Sequence, residues 1–303
     1  MTTRPTRSWM FVPGNRERFL AKAAESDVDC VFLDLEDGVL PDSKAKARSM
    51  VAAALRTPFR PQRYVRLNAA SAEWFADDLA EVVPAAPDGV CLPKCEEPGQ
   101  VTDLAARLAG LERRNALEPG STRIVSAIES PAAILAAASI ARAHPRVVAL
   151  MLGAEDLALD IGLGTARVAE AAELIFARSM VVYAAAAAGV VSIDGVFPNL
   201  DDPDGMERDT LQARRLGFTA KSTFNPRQVA VINRIFSPRP DEIAYARLVV
   251  DAFGTAEARG DASVAVGGQL VDRPIVLRAQ RLLELAGTGL AGTGLAEGGQ
   301  GGR

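Results

Sequence analysis

The chain has 303 residues and a mass of 32.0 kDa, with 49% apolar and 24% charged residues, enough for one large domain or two modest ones around a substantial core. Acidic side chains outnumber basic ones 38 to 34, giving a net charge of −4 and a pI ≈ 5.3, which argues against a nucleic-acid or membrane-surface binder. A single histidine, His144, removes the imidazole on which Ser-His-Asp and Cys-His centres depend.

Short apolar runs recur at 8–13, 30–35, 63–67, 89–93, 124–128, 147–152, 190–196 and 218–223, each followed by a helical pattern. Several are apolar almost throughout, as expected of parallel strands buried on both faces. Ser130-Pro131 opens a helix reaching Arg142, with serine as the cap and proline in the first turn. His144 precedes Pro145 and reads as a loop or C-terminal capping residue. Thr165 opens a long segment that Gly189 closes, Gly217 stops the next, and Asn225-Pro226 opens a helix ending at Ser237-Pro238. Strand and helix alternating eight times predict an α/β fold, a (β/α)₈ TIM barrel over 1–237. An open doubly wound sheet is the alternative, but no glycine-rich dinucleotide loop follows the first strand.

Beyond Pro238 the pattern changes. A helix from Asp241 to about Arg259, an extended stretch at 262–272 and a helix over 274–286 predict a C-terminal helical arm or lid spanning 238–286. Residues 287–303 repeat Leu-Ala-Gly-Thr-Gly and read as a flexible tail. The longest uncharged stretch, 179–193, contains Gly189 and is too short to span a bilayer. Cys30, Cys91 and Cys95, with no secretory signal, fit a reducing, cytoplasmic setting. No second Cys or His pair completes a zinc site, so the three read as packing residues.

Functional residues of a barrel collect at the C-terminal ends of its strands. Asn15, the set Asp34, Glu36 and Asp37, the pair Arg66 and Asn68, Lys94, Glu129, the pair Glu155 and Asp156, Asp194 and Lys221 fall there in turn. The expectation is a polar group from every strand at one rim; helix caps and surface ion pairs are the alternative for any one residue. Carboxylates following strands two, five and six would repel at short range unless protonated, paired or bound to metal. With oxygen donors and no imidazole the fitting ion is Mg²⁺, with Mn²⁺ as substitute. Glu129 and Asp156 form the best-placed pair, and Arg66 is placed to clamp a substrate carboxylate or a developing enolate. A Schiff base on Lys94 or Lys221 is the competing chemistry. Arg18 and Lys22, four apart near the start of the first helix, would suit a phosphate-bearing cofactor; a solvated turn paired with Glu17 or Glu25 fits equally.

The segments Arg7-Ser8-Trp9-Met10-Phe11-Val12-Pro13-Gly14-Asn15, Leu33-Asp34-Leu35-Glu36-Asp37-Gly38-Val39, Val65-Arg66-Leu67-Asn68 and Leu92-Pro93-Lys94 resemble the citrate lyase β-subunit (CitE-like) family of the HpcH/HpaI aldolase and citrate lyase superfamily. So do Ala127-Ile128-Glu129-Ser130-Pro131, Gly153-Ala154-Glu155-Asp156-Leu157 and Gly217-Phe218-Thr219-Ala220-Lys221. The resemblance runs in order from about Arg7 to Ala279. It implies a Mg²⁺-dependent lyase that splits a 3-hydroxyacyl-CoA into acetyl-CoA and a 2-oxo acid, working as a homotrimer or dimer of trimers. By this likeness Glu129 and Asp156 hold the metal and Arg66 the substrate, while Phe11, Arg18 and Lys22 contact substrate or CoA. Glu36 and Asp37 steady Arg66 or metal-bound water. Asp272, in Gly268-Gln269-Leu270-Val271-Asp272-Arg273-Pro274, resembles the family's catalytic aspartate that reaches a neighbouring subunit; read from the residues alone it is a helix cap. A thioesterase, a subunit acting on a carrier-protein thioester and a CoA-ester-binding barrel without turnover are the alternatives. Two departures stand out: Asn225 where the family usually has histidine, and Ala220 where glycine is frequent.

Overall fold

Eight parallel strands close into a barrel in chain order, each pairing with the next and the last returning to the first. The computed structural model describes residues 4–164 and 169–287. The strands are β1 (Ser8–Pro13), β2 (Cys30–Asp34), β3 (Gln62–Arg66), β4 (Gly89–Leu92), β5 (Arg123–Ile128), β6 (Val147–Leu152), β7 (Val191–Asp194) and β8 (Ala220–Thr223). The helices around them are α1 (Glu17–Ala24), α2 (Lys44–Leu55), α3 (Phe75–Val82), α4 (Pro98–Arg114), α5 (Pro131–Arg142), α6 (Ala154–Asp160), α7 (Ile175–Ala188), α8 (Pro203–Leu216) and α9 (Val229–Phe236). This is the expected (β/α)₈ barrel, and the open sheet is excluded. The punctuation acts as its chemistry dictates: Ser130 accepts the Ala133 N–H, and Gly189 and Gly217 end their helices at φ 70° and 104°, a region that favours glycine. His144 sits past α5, its Nδ1 accepting the Arg146 N–H. Thr165 and the tail from 288 onward lie outside the described residues. The run Ala171–Ala188 is long and apolar enough to cross a membrane by composition; here it leads into and forms α7, packed on α5, β6 and β7.

Strand alternation sorts the side chains. Trp9, Phe11, Cys30, Phe32, Tyr64, Cys91, Val125, Ala127, Ala149, Met151, Ile193 and Ala220 form the cluster inside the barrel. Met10, Val12, Val31, Leu33, Val65, Val90, Leu92, Leu150 and Leu152 instead join the larger cluster under the helices. Trp9 stacks on Phe32 and leans on Tyr64, with ring centroids 4.9 and 4.8 Å apart. The centre is therefore a packed core rather than a pore. Its topmost inward positions, two residues beyond Phe32, Tyr64 and Ala127, are Asp34, Arg66 and Glu129.

The same alternation overturns part of the expected rim. Asp194 follows inward Ile193 and Lys221 follows inward Ala220, so both point outward into the helix layer. There Lys221 Nζ lies 2.6 Å from both Asp194 Oδ2 and Asp209 Oδ2, and Arg178 closes the quartet at 2.8 and 3.2 Å from the same two carboxyls. An ammonium clamped this way, 1% exposed, offers no free amine for a Schiff base. Asn68 also turns away, bonding Asp78 on α3.

The arm follows as α10 (Pro240–Glu257), a hairpin of β9 (Val264–Val266) and β10 (Gln269–Val271), and α11 (Arg273–Gly287). Gly267 and Gly268, at φ 57° and 80°, make the two-residue turn that glycines favour. Val249, Phe253, Val266, Val271 and Val276 give the arm a core of its own.

Breaking the buried quartet leaves uncompensated charge, at a cost of about 3–5 kcal/mol. Lys221→Met is expected to lower unfolding stability by that amount in urea titrations at pH 7; an unchanged midpoint would contradict the pairing.

Candidate active site

The C-terminal end of the barrel opens into a cavity of ≈ 680 Å³. Of the residues singled out from the sequence, Phe11, Lys22, Asp37, Arg66, Glu129 and Asp156 line it. Three do not. Arg18 is exposed on α1, away from the wall. Glu36 is buried behind the wall, and Asp272 sits on the arm, its Oδ1 accepting the Ile275 N–H at 3.4 Å as a cap of α11. Within one chain the capping reading of Asp272 is the geometry observed.

Arg66 is held on several sides. Asp34 stands opposite it in the β2–β3 register and takes its Nε and Nη2 protons side-on, at 2.8 and 2.7 Å. Glu36 Oε2 lies 3.1 Å from Nη1, and Asp37 only within 4.0 Å. The Phe11 ring lies 4.6 Å from the guanidinium carbon, within cation–π range. Burial alone would lower the Arg66 pKa; the Asp34 carboxylate more than reverses this, so the group stays charged. The expected partners, Glu36 and Asp37, thus take second place to Asp34, a residue that sequence reasoning marked only as a strand end. Its alternation with inward Phe32 was the signal that it belonged inside.

Glu129 leaves the end of β5 and is 5% exposed. Its Oε1 accepts the N–H of Lys94, whose φ of 50° is uncommon for a non-glycine residue. Gly153, at the start of α6, packs so closely that a Cβ there would overlap the Glu129 side chain. Glycine in the Gly153-Ala154-Glu155-Asp156 turn thus lets the carboxylate and the first turn of α6 share one wall. Burial pushes the Glu129 carboxyl up to about 6, the Lys94 N–H opposing and the Asp156 charge adding to the rise. Asp156 is raised by burial and by Asp37. Burial pushes Glu36 up to about 8 against the pull of Arg66, with Lys94 Nζ 3.5 Å from its other oxygen. Lys94 itself is half-exposed and off the cavity wall.

Much of the remaining wall is apolar, with Phe11, Met151, Val196 and the half-exposed Phe19 and Phe224, while Ser26, Glu155 and Ser222 add polar groups. Acidic groups and one oriented arginine on an apolar cavity suit an anionic, partly apolar small molecule with a bound cation.

Comparison with known proteins places the chain in a family. The profile of the HpcH/HpaI aldolase/citrate lyase family matches residues 7–226. A citrate lyase subunit beta from Leuconostoc mesenteroides subsp. cremoris is 36% identical over 282 residues, covering 92% of this chain and 93% of its own. A (3S)-malyl-CoA thioesterase from Cereibacter sphaeroides is 33% identical over 286 residues, covering 93% and 95%. Protein CitE from Mycobacterium tuberculosis, solved in complex with magnesium, acetoacetate and coenzyme A, superposes with a TM-score of 0.77 at 32% identity, over 95% of this chain and 100% of that one. The chain belongs to the HpcH/HpaI aldolase/citrate lyase family and is an enzyme of the lyase class.

A carboxyl whose folded pKa is raised contributes stability below its unfolded value and loses it as pH rises through the folded one. Without divalent metal, ionisation of Glu36 therefore destabilises the fold between about pH 4.5 and 8. Glu36→Gln should flatten the fall in Tm between pH 5 and pH 8 in EDTA. Parallel curves for the two proteins would contradict the assignment.

Proposed function

We propose that this protein is a Mg²⁺-dependent carbon–carbon lyase that cleaves, or in reverse forms, a 3-hydroxyacyl-CoA such as malyl-, citramalyl- or citryl-CoA, giving acetyl-CoA and a 2-oxo acid. The observation carrying this reading is the shared cavity wall of Glu129, Asp156 and Arg66. The donors fit a hard divalent cation: two carboxylates with raised pKa values gain by binding positive charge. Among the described residues no group of three or more His, Cys, Asp or Glu side chains converges as a full cage. Mg²⁺ takes one or two carboxylates and leaves other positions to water and substrate oxygens, a demand the pair Glu129 and Asp156 can meet. Mn²⁺ is the natural substitute.

Glu129 and Asp156 would hold the ion, which when bound supplies Lewis-acid polarisation of the substrate hydroxyl and its neighbouring carboxylate. Arg66 presents its remaining N–H groups to substrate negative charge. Transfer of the hydroxyl proton to water in the cavity lets the C2–C3 bond break, its electron pair moving onto the thioester as an enolate, and the former carbinol becomes the 2-oxo acid. Asp272, delivered by the arm of a neighbouring copy in a homotrimer or dimer of trimers, gives the enolate carbon its proton. Phe11 and Lys22 are the wall residues offered to the acyl-CoA, and Glu36 steadies Arg66 from behind. The half-exposed Phe19 and Phe224 extend that wall toward solvent.

The direct test is release of acetyl-CoA and a 2-oxo acid from a panel of 3-hydroxyacyl-CoAs with and without Mg²⁺. Metal-dependent release is expected, abolished in Glu129→Ala and Asp156→Ala with the circular dichroism spectrum retained. Full activity in those variants would refute the proposed metal site, and free CoA without acetyl-CoA would mark a thioesterase instead. Protons compete with the cation for Glu129, so Mn²⁺ affinity should be level above pH 6 and fall as pH drops through it. Calorimetric titration from pH 5 to 8 measures this, and a constant affinity would contradict it.

A further inference from the structure

Asp34 has a complete and unusual set of partners. Its Oδ1 accepts the Arg66 Nε–H at 2.8 Å and the Glu36 backbone N–H at 2.9 Å. Its Oδ2 accepts the Arg66 Nη2–H at 2.7 Å and the Gly38 backbone N–H at 2.9 Å. A carboxylate offers about four lone-pair sites, and all four are used. The side chain is 3% exposed, and a Cβ at Gly38 would overlap it, so neither the acid nor the turn over it has room to shift.

The consequence lies in what Arg66 keeps. A guanidinium carries five N–H groups. Two go to Asp34, and a third faces Glu36 from Nη1, leaving one on each terminal nitrogen. The Phe11 ring bounds one face of the group but does not fix its rotation within the plane; the side-on pair with Asp34 does. Through Glu36 and Gly38 the same carboxylate ties down the turn that carries Asp37 to the cavity.

We infer that Asp34 is a positioning residue that sets the angle at which Arg66 meets substrate negative charge and pins the 36–38 turn beside it. The catalytic consequence rests on the lyase reading above; the orientation of Arg66 does not. Asp34→Asn is the informative change. It keeps one acceptor oxygen but places an NH₂ donor against the Arg66 or Gly38 N–H groups, so half of the anchoring becomes repulsive.

Three measurements on the full chain separate positioning from general support. The first is hydrogen exchange at the Arg66 Nε–H, assigned by its loss in Arg66→Lys, in protein free of substrate. It is expected to be slow in the parent and fast in Asp34→Asn. The second is turnover of the same CoA panel, where kcat should fall about 10²-fold with the thioester KM within about twofold. The third is Mn²⁺ affinity, expected near the parental value because Glu129 and Asp156 lie on other strands, while Tm falls because buried Arg66 loses its counter-charge. If Asp34→Asn fails to fold, Gly38→Ala perturbs the same carboxylate from the turn side and should give the same selective loss. Parental exchange and kcat in the variant would overturn the inference. So would a loss of kcat matched by a parallel loss of Mn²⁺ affinity. Should the parent cleave no thioester on the panel, the lyase reading fails, while the Nε–H exchange still decides the role of Asp34.

Discussion

Burying carboxylates is costly unless something positive meets them, and this barrel meets that constraint in two ways. Toward the helices, Asp194 and Asp209 are matched one for one by Lys221 and Arg178, so the quartet is closed and neutral. Toward the cavity the balance is left open. Asp34 is satisfied by Arg66, but Glu36, Glu129, Asp156 and Asp37 share what remains of Arg66 and the half-exposed Lys94. The first arrangement is structural. The second holds Glu129 and Asp156, with pKa values raised by burial, on the wall of a largely apolar cavity, which is the state a divalent cation relieves.

The alternation of the strands decides which acids fall in which set. Asp34, Arg66 and Glu129 continue the inward rows begun by Phe32, Tyr64 and Ala127, while Asp194 and Lys221 sit one residue out of phase. Much of this was legible in the chain. The eight apolar runs matched the strands to within a residue or two at most boundaries, because buried parallel strands leave a continuous hydrophobic signature. The arm announced itself through the change of pattern after Pro238. Glu129, Asp156 and Arg66 stood out because acids and an arginine at strand ends are expensive without a reason.

What stayed hidden has physical causes. Reading strand ends by position rather than by phase placed Asp194 and Lys221 at the rim and left Asp34 without a role. Arg18 and Lys22 share a helix spacing, but only Lys22 meets the cavity, while Arg18 is exposed. The need for glycine at Gly153 arises from the closeness of β5 to the start of α6, a contact between segments far apart in the chain. Asp272 caps α11 and lies off the cavity wall, which spacing around Pro274 already suggested.

The relatives at 36% and 33% identity carry different names, a lyase subunit and a thioesterase. The lyase reading proposed above rests on a cation held by Glu129 and Asp156. The most direct test is to soak crystals in Mn²⁺ and locate the ion by anomalous scattering. The account predicts one strong peak contacting the carboxylates of Glu129 and Asp156 within the cavity. A peak elsewhere, or none at concentrations that support turnover, would contradict it.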